Sequence, residues 1–214
     1  MPYAAPYDGG CMRLIVRRGE FAMEDPWAVP AGSERVALRK SSDGSPPRLP
    51  TTVAVYADEQ CLDVLFTAED DEVVARYLGH DEPLYEEDVV EIFIAPHDRH
   101  HYFEIEVNPL GTTFDARIDS PDGVRDTMRA DTSWDCPQLF AAIRRTPRRA
   151  ETIVRIPFSC LGVRPPAAGE QWLGNFFRID RSRVHGDEFS AWMPTMKSPP
   201  DFHVVAAFGK IVFE

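Results

Sequence analysis

No run of apolar residues in this 214-residue chain approaches the roughly 20 positions that a membrane-crossing helix needs. The N-terminal stretch MPYAAPYDGGCMRLIVRRGEF also lacks the basic segment and continuous apolar run of a secretion signal. As written, the chain therefore reads as cytoplasmic, and a misassigned start or a removed signal would make it extracellular. Positive charge is scarce: 23 Lys and Arg stand against 35 Asp and Glu, a net charge of −12, and no basic stripe is long enough to follow a phosphate backbone. Nucleic acid would be repelled rather than gathered by that charge, and without a spanning run no membrane partner is expected either. The four cysteines, at positions 11, 61, 136 and 160, lie too far apart for a CxxC metal or redox pair. Disulfide pairing stays open, but Cys61 and Cys160 fall inside apolar runs and read as small buried hydrophobes. Nucleophile and zinc motifs of the GxSxG and HExxH types are missing, as is the DxDxDG spacing of a calcium loop. Long amphipathic helix patterns are missing too.

What is present is alternation. Apolar and polar residues exchange over Thr51 to Ala57, Cys61 to Thr67, Leu139 to Arg145, Thr152 to Phe158, Trp172 to Ile179 and Ala207 to Phe213, with turn-forming residues between. Shorter candidates lie at Met12 to Val16, as an edge strand, and at Arg35 to Arg39. About ten short strands without a convincing helix predict an all-β, antiparallel β-sandwich of jelly-roll type. Residues 1–50 are expected to form an irregular N-terminal extension on the sandwich, with 51–214 as the sandwich itself. The acidic run Glu69, Asp70, Asp71 and Glu72 precedes a candidate helical turn through Tyr77. A solvated loop is its simplest reading, and a structural calcium is the next, because hard oxygen ligands suit that ion.

The centre of the pattern is LYEEDVVEIFIAPHDRHHYFEIEVNPLGTTFDARI, residues 84 to 118. It reads as a three-strand meander. Val90, Ile92 and Ile94 share one face of the first strand; Phe103, Ile105 and Val107 share one face of the second, leaving Tyr102, Glu104, Glu106 and Asn108 on the other. Phe114, Ala116 and Ile118 oppose Thr113, Asp115 and Arg117 on the third. Pairing in sequence order predicts one face against a core and one displaying carboxylates, an amide and a guanidinium. The simplest account of that second face is a surface ion-pair network that binds nothing. The turn cluster His97, His100 and His101 reads as exposed histidines rather than a metal site.

These segments resemble family 9 carbohydrate-binding modules and their DOMON-like relatives. The resemblance rests on LYEEDVVEIFI, YFEIEVNPLGTTFDARI, TIVRIPFSCLG, GEQWLGNFFRI and a closing W-x-P-T followed by FH and FGKIVF, in order from about Thr51 to Phe213. It implies a β-sandwich that grips a mono- or oligosaccharide without catalysis and without a required cofactor. It places two stacking rings at Tyr85 and Trp192, and polar partners at Glu91, Asn108, Arg117 and Asn175. Tyr85 stands where better studied modules carry Trp, which reduces the stacking area.

A pyranose has an apolar face and a rim of hydroxyls, so it calls for flat aromatic surface beside fixed donors and acceptors. Tyr85 and Trp192 would supply the surface; Glu91, Glu104 or Glu106, Asn108 and Arg117 would supply the hydrogen bonds. Two rival functions fit less of the sequence. A glycoside hydrolase, or an accessory subunit of polysaccharide degradation, could draw on Glu91, Glu104 and Glu106. A haem-binding electron carrier of the DOMON type could draw on Met193, Met196 and His203.

Overall fold

The computed structural model describes residues 12–214. Cys11 and the first eleven residues of the expected N-terminal extension therefore fall outside the described residues. Fourteen strands follow in order: β1 (Arg13–Arg18), β2 (Arg35–Ala37), β3 (Arg39–Lys40), β4 (Thr51–Ala57), β5 (Cys61–Glu69), β6 (Val89–Asp98) and β7 (His101–Val107). The second half adds β8 (Thr113–Asp119), β9 (Arg129–Asp131), β10 (Phe140–Thr146), β11 (Arg149–Pro157), β12 (Gln171–Asp180), β13 (Glu188–Ala191) and β14 (Gly209–Phe213). The only helical elements among the described residues are three-residue 3-10 turns, at Leu84–Glu86, Arg125–Thr127 and Val205–Ala207.

The strands form two layers. One runs β10-β11-β5-β4, with β2 also paired to β4; the other runs β14-β12-β6-β7-β8-β9, with β13 on β12 and β3 on β13. β1 belongs to both, because Arg13–Val16 pair in parallel with β14 while Arg17 and Arg18 pair in parallel with Tyr56 and Ala57 of β4. The expected edge strand is thus an interior one that joins the layers. Arg178 of β12 adds a polar tie: its guanidinium donates to the Glu69 carbonyl at 2.7 Å and to Thr51 Oγ1 at 3.2 Å on the other layer, and to Asp180 at 2.6 Å.

Alternation fills the space between the layers. Val55, Val64 and Phe66 meet Ile92, Ile105, Trp172, Phe176 and Ile211 in the main core. The opposite face of the second layer is not left to water. Val89, Phe93, Ala95, Tyr102, Phe114, Ala116 and Phe177 form a second core there, roofed by Phe202, Val205 and Phe208 from the segment before β14. Phe177 and Phe202 stack at 4.2 Å. The meander is therefore apolar on both faces.

The acidic run does not form a helical turn. Asp70 is buried and bonded to Arg145 at 2.7 Å, Asp71 pairs with Arg48 at 2.6 Å, and Glu72 lies 3.6 Å from Arg183. Each of these three carboxylates has an arginine beside it. Cys61 and Cys136 are buried free thiols and Cys160 is a half-buried one.

Candidate functional site

The site is built on β6 and β7. Glu91 pairs with Glu106 and Phe93 with Glu104 across these strands, so all four side chains share the outer face of the second layer. Glu91, Glu104 and Glu106 are all buried, and each offers a carboxylate oxygen within 4.8 Å of the others. They form the floor and foundation of an open cleft of about 790 Å³, with Glu91 and Glu104 reaching its surface. Tyr85 stands at the rim with half its surface exposed. Its position follows from the LYEED segment: Leu84 is buried beneath the 3-10 turn, and Glu87 and Asp88 accept backbone N–H bonds from Arg76 and Val74. Arg181 closes the arrangement by donating to the Tyr85 carbonyl at 2.7 Å.

The opposite wall comes from the roof segment and the loop after β8. Lys197, Pro199, Asp201 and His203 line it, with Arg125 bonded to Asp201 at 3.2 Å. His203 shares a hydrogen bond with the Tyr102 hydroxyl at 2.7 Å, and its other nitrogen lies 3.7 Å from Glu104. Burial, aided by the positive charge of Arg125, pushes His203 down to about 4, so the imidazole is neutral at pH 7.

Burial also governs the carboxyls. It pushes Glu104 up to about 7, and it raises Glu91 and Glu106 well above the ordinary range, with mutual repulsion adding to both. Neither oxygen of Glu106 has a hydrogen-bond partner. Near neutral pH the group therefore retains protons and presents both donors and acceptors to the cleft. Oxygens this close also suit a hard cation such as calcium. They do not resemble a glycosidase pair, whose carboxyls flank the bond about 5–9.5 Å apart. Here all three project from adjacent strands of one face.

Several expected partners lie elsewhere. Trp192 is 0% exposed, packed in the main core with its ring centroid 5.7 Å from that of Phe176. It offers no face to a ligand in this structure. Arg117 pairs with Phe103 and bonds Asp131 at 2.8 Å, on the opposite face of the layer from Glu104. Asn108 caps its own turn, accepting from Leu110 and Thr112 and donating to the Tyr77 carbonyl. Asn175 shares the glutamate face but spends its amide on Met193 and the Ala207 carbonyl. Of the haem candidates, Met193 is in the main core, His203 in the cleft wall and Met196 exposed, so they do not converge. In the turn cluster, His100 bonds the Ser120 carbonyl and His101 bonds Asp98. Arg125, Arg181 and Asp201 carry no sequence signal that would have marked them, since Arg125 opens a single 3-10 turn and the other two lie in irregular segments.

A sandwich with one aromatic-rimmed, acid-floored cleft on a sheet face defines a ligand-binding module. The chain belongs to carbohydrate-binding family 9, whose model matches residues 45–213. No curated protein matches it. Among solved structures it is similar to a Bacteroides uniformis protein whose carbohydrate binding is itself inferred, at 20% identity and a TM-score of 0.75 over 94% of this chain and 99% of that one. It is also similar to a family 9 carbohydrate-binding module of Caldicellulosiruptor kristjanssonii in complex with cellotriose, at 15% identity and a TM-score of 0.67 over 95% and 94% of the two chains. The glucose complex of a family 9 module from that organism gives 14% identity and a TM-score of 0.66 over 95% and 96%. At these identities the likeness is one of fold. No helix among the described residues is long and apolar enough to cross a membrane.

Proposed function

We propose that this family 9 module binds a mono- or short oligosaccharide non-covalently in the cleft between Tyr85 and the roof segment. The observation that carries this reading is that the half-exposed Tyr85 lines the same cleft as the buried carboxyls of Glu91 and Glu104. The ring offers a flat surface to the C–H face of a pyranose, while the carboxyls, with Arg125 and Arg181 in the walls, offer directional bonds to its hydroxyls. Trp192 is omitted from the site, and one ring therefore does the stacking. That the C. kristjanssonii modules hold cellotriose and glucose on the same fold supports β-glucosides as the first ligands to try.

Calorimetric titration with glucose, cellobiose and xylobiose tests the proposal. Binding of any of them that is lost in Glu91→Ala and weakened in Tyr85→Ala supports it. Saccharide affinity that neither substitution changes would move the site away from this cleft.

A further inference from the structure

A second group of ligating side chains lies outside the cleft, where the loop before the Leu84–Glu86 turn meets β8 and the loop after β9. His80, Asp115 and Asp135 each present a donor atom within 4.8 Å of the others. His80 Nδ1 is 2.9 Å from the Thr113 carbonyl oxygen, which can only accept, so Nδ1 carries the hydrogen. The remaining nitrogen, Nε2, points at carboxylates, 3.1 Å from Asp135 Oδ1 and 3.4 Å from Asp81 Oδ1. A carbonyl holding one ring nitrogen while the other faces anionic oxygens is the arrangement that orients a metal-binding histidine.

Asp115 provides an independent observation. It is 1% exposed, and its Oδ1 has no hydrogen-bond partner. Its other oxygen receives only a long bond, 3.4 Å, from the Cys136 backbone. An aspartate buried in that state lacks the compensation that burial of a carboxylate demands. It sits on the inner side of β8, paired with Ile105, with the imidazole and Asp135 on its solvent side. We infer that His80, Asp115 and Asp135, with Asp81 beside them, form a binding site for one divalent first-row transition ion, for which zinc is the natural probe. One imidazole nitrogen among carboxylate oxygens favours such an ion over calcium or magnesium, which take oxygen ligands. A bound ion would staple the loop that leads into Tyr85 to the meander. The inference does not depend on what the cleft binds.

The test uses the full chain, stripped of metal and titrated calorimetrically with zinc chloride in a non-chelating buffer. One ion should bind per chain and raise the melting temperature. Cobalt at the same site should show the intensified visible bands of a low-symmetry coordination sphere. His80→Ala and Asp135→Asn should each weaken zinc binding by at least the about 10–100-fold that loss of an outer-shell partner costs. Substituting His97, His100 and His101 together by Ala should leave it unchanged. Asp135 is 67% exposed, so its substitution reports on the site even if the His80 variant does not fold. Absence of one-to-one zinc binding, full affinity in Asp135→Asn, or loss in the turn-histidine variant would overturn the assignment.

Discussion

Glu91 and Glu106 stand directly opposite one another on β6 and β7, on the same face and both buried, with Glu104 two residues from Glu106 on that face. Burial disfavours their charged forms, so the folded chain holds these protons more tightly than the unfolded one does. Carboxyls raised in this way contribute stability that is complete below their unfolded value near 4.5 and is lost as pH rises through the folded values. For Glu104 that window runs from about 4.5 to about 7. The melting temperature should therefore fall from mildly acidic to neutral pH. Glu106→Gln, which removes the need to hold a proton on the most enclosed of the three carboxyls, should flatten the fall and stabilise the protein by roughly 1–3 kcal/mol at neutral pH. Calorimetric melts of both proteins across that range check this, and an unchanged slope in the variant would contradict it.

Trp192 fills the main core, and its ring limits what can stand beside it: a Cβ at Gly209 would come 2.5 Å from Trp192 Cη2. Trp192→Ala should therefore cost about 3–5 kcal/mol of stability through the cavity it leaves. Any loss of saccharide binding should track the unfolded fraction rather than affinity. Urea denaturation followed by circular dichroism, with binding measured well below the transition, separates the two effects.

The sandwich was legible because the main core depends on strict alternation, which a single strand displays by itself. The arrangement of the meander was legible only in part. Its strands carry apolar residues on both faces, Ile92 and Ile105 inward and Phe93 and Tyr102 outward. The apolar row Phe114, Ala116 and Ile118 therefore joins the outer core, and Arg117 falls on the opposite side from the glutamates. One row assigned to the wrong face moves every residue of that strand. Trp192 misled for a different reason: it follows β13 in an irregular segment, where no periodicity tells an inward ring from an outward one. The roof formed by Phe202, Val205 and Phe208 is non-repetitive too, and with it the cleft wall of Asp201 and His203.

Arg117 offers a direct check on that register. Its side chain is 60% exposed and its contact is a surface ion pair with Asp131, which contributes little to stability. Arg117→Ala should change saccharide affinity by less than about 0.5 kcal/mol, with a comparably small effect on stability. Tyr85→Ala should instead weaken affinity by roughly 1–2 kcal/mol while the fold survives, because its ring is half exposed. Side-by-side titrations of the two variants test the placement, and a larger loss from Arg117→Ala than from Tyr85→Ala would reverse it.

Arg178 provides the severest test of how the layers are joined. It is buried, bonds Asp180 at 2.6 Å and the Glu69 carbonyl at 2.7 Å, and lies 3.9 Å from Asp70. Arg178→Met keeps much of the packing volume but removes the cation between two buried carboxylates. Leaving such charges without their partner costs about 3–5 kcal/mol. Asp180 retains Arg48 at 3.2 Å and Asp70 retains Arg145 at 2.7 Å, which places the expected loss towards the lower end. Adding Asp180→Asn to the Met variant should recover part of it, since the most affected carboxylate is then gone. Urea unfolding of the single and double variants measures both steps, and a double variant less stable than the single would show that the guanidinium acts chiefly through the Glu69 carbonyl.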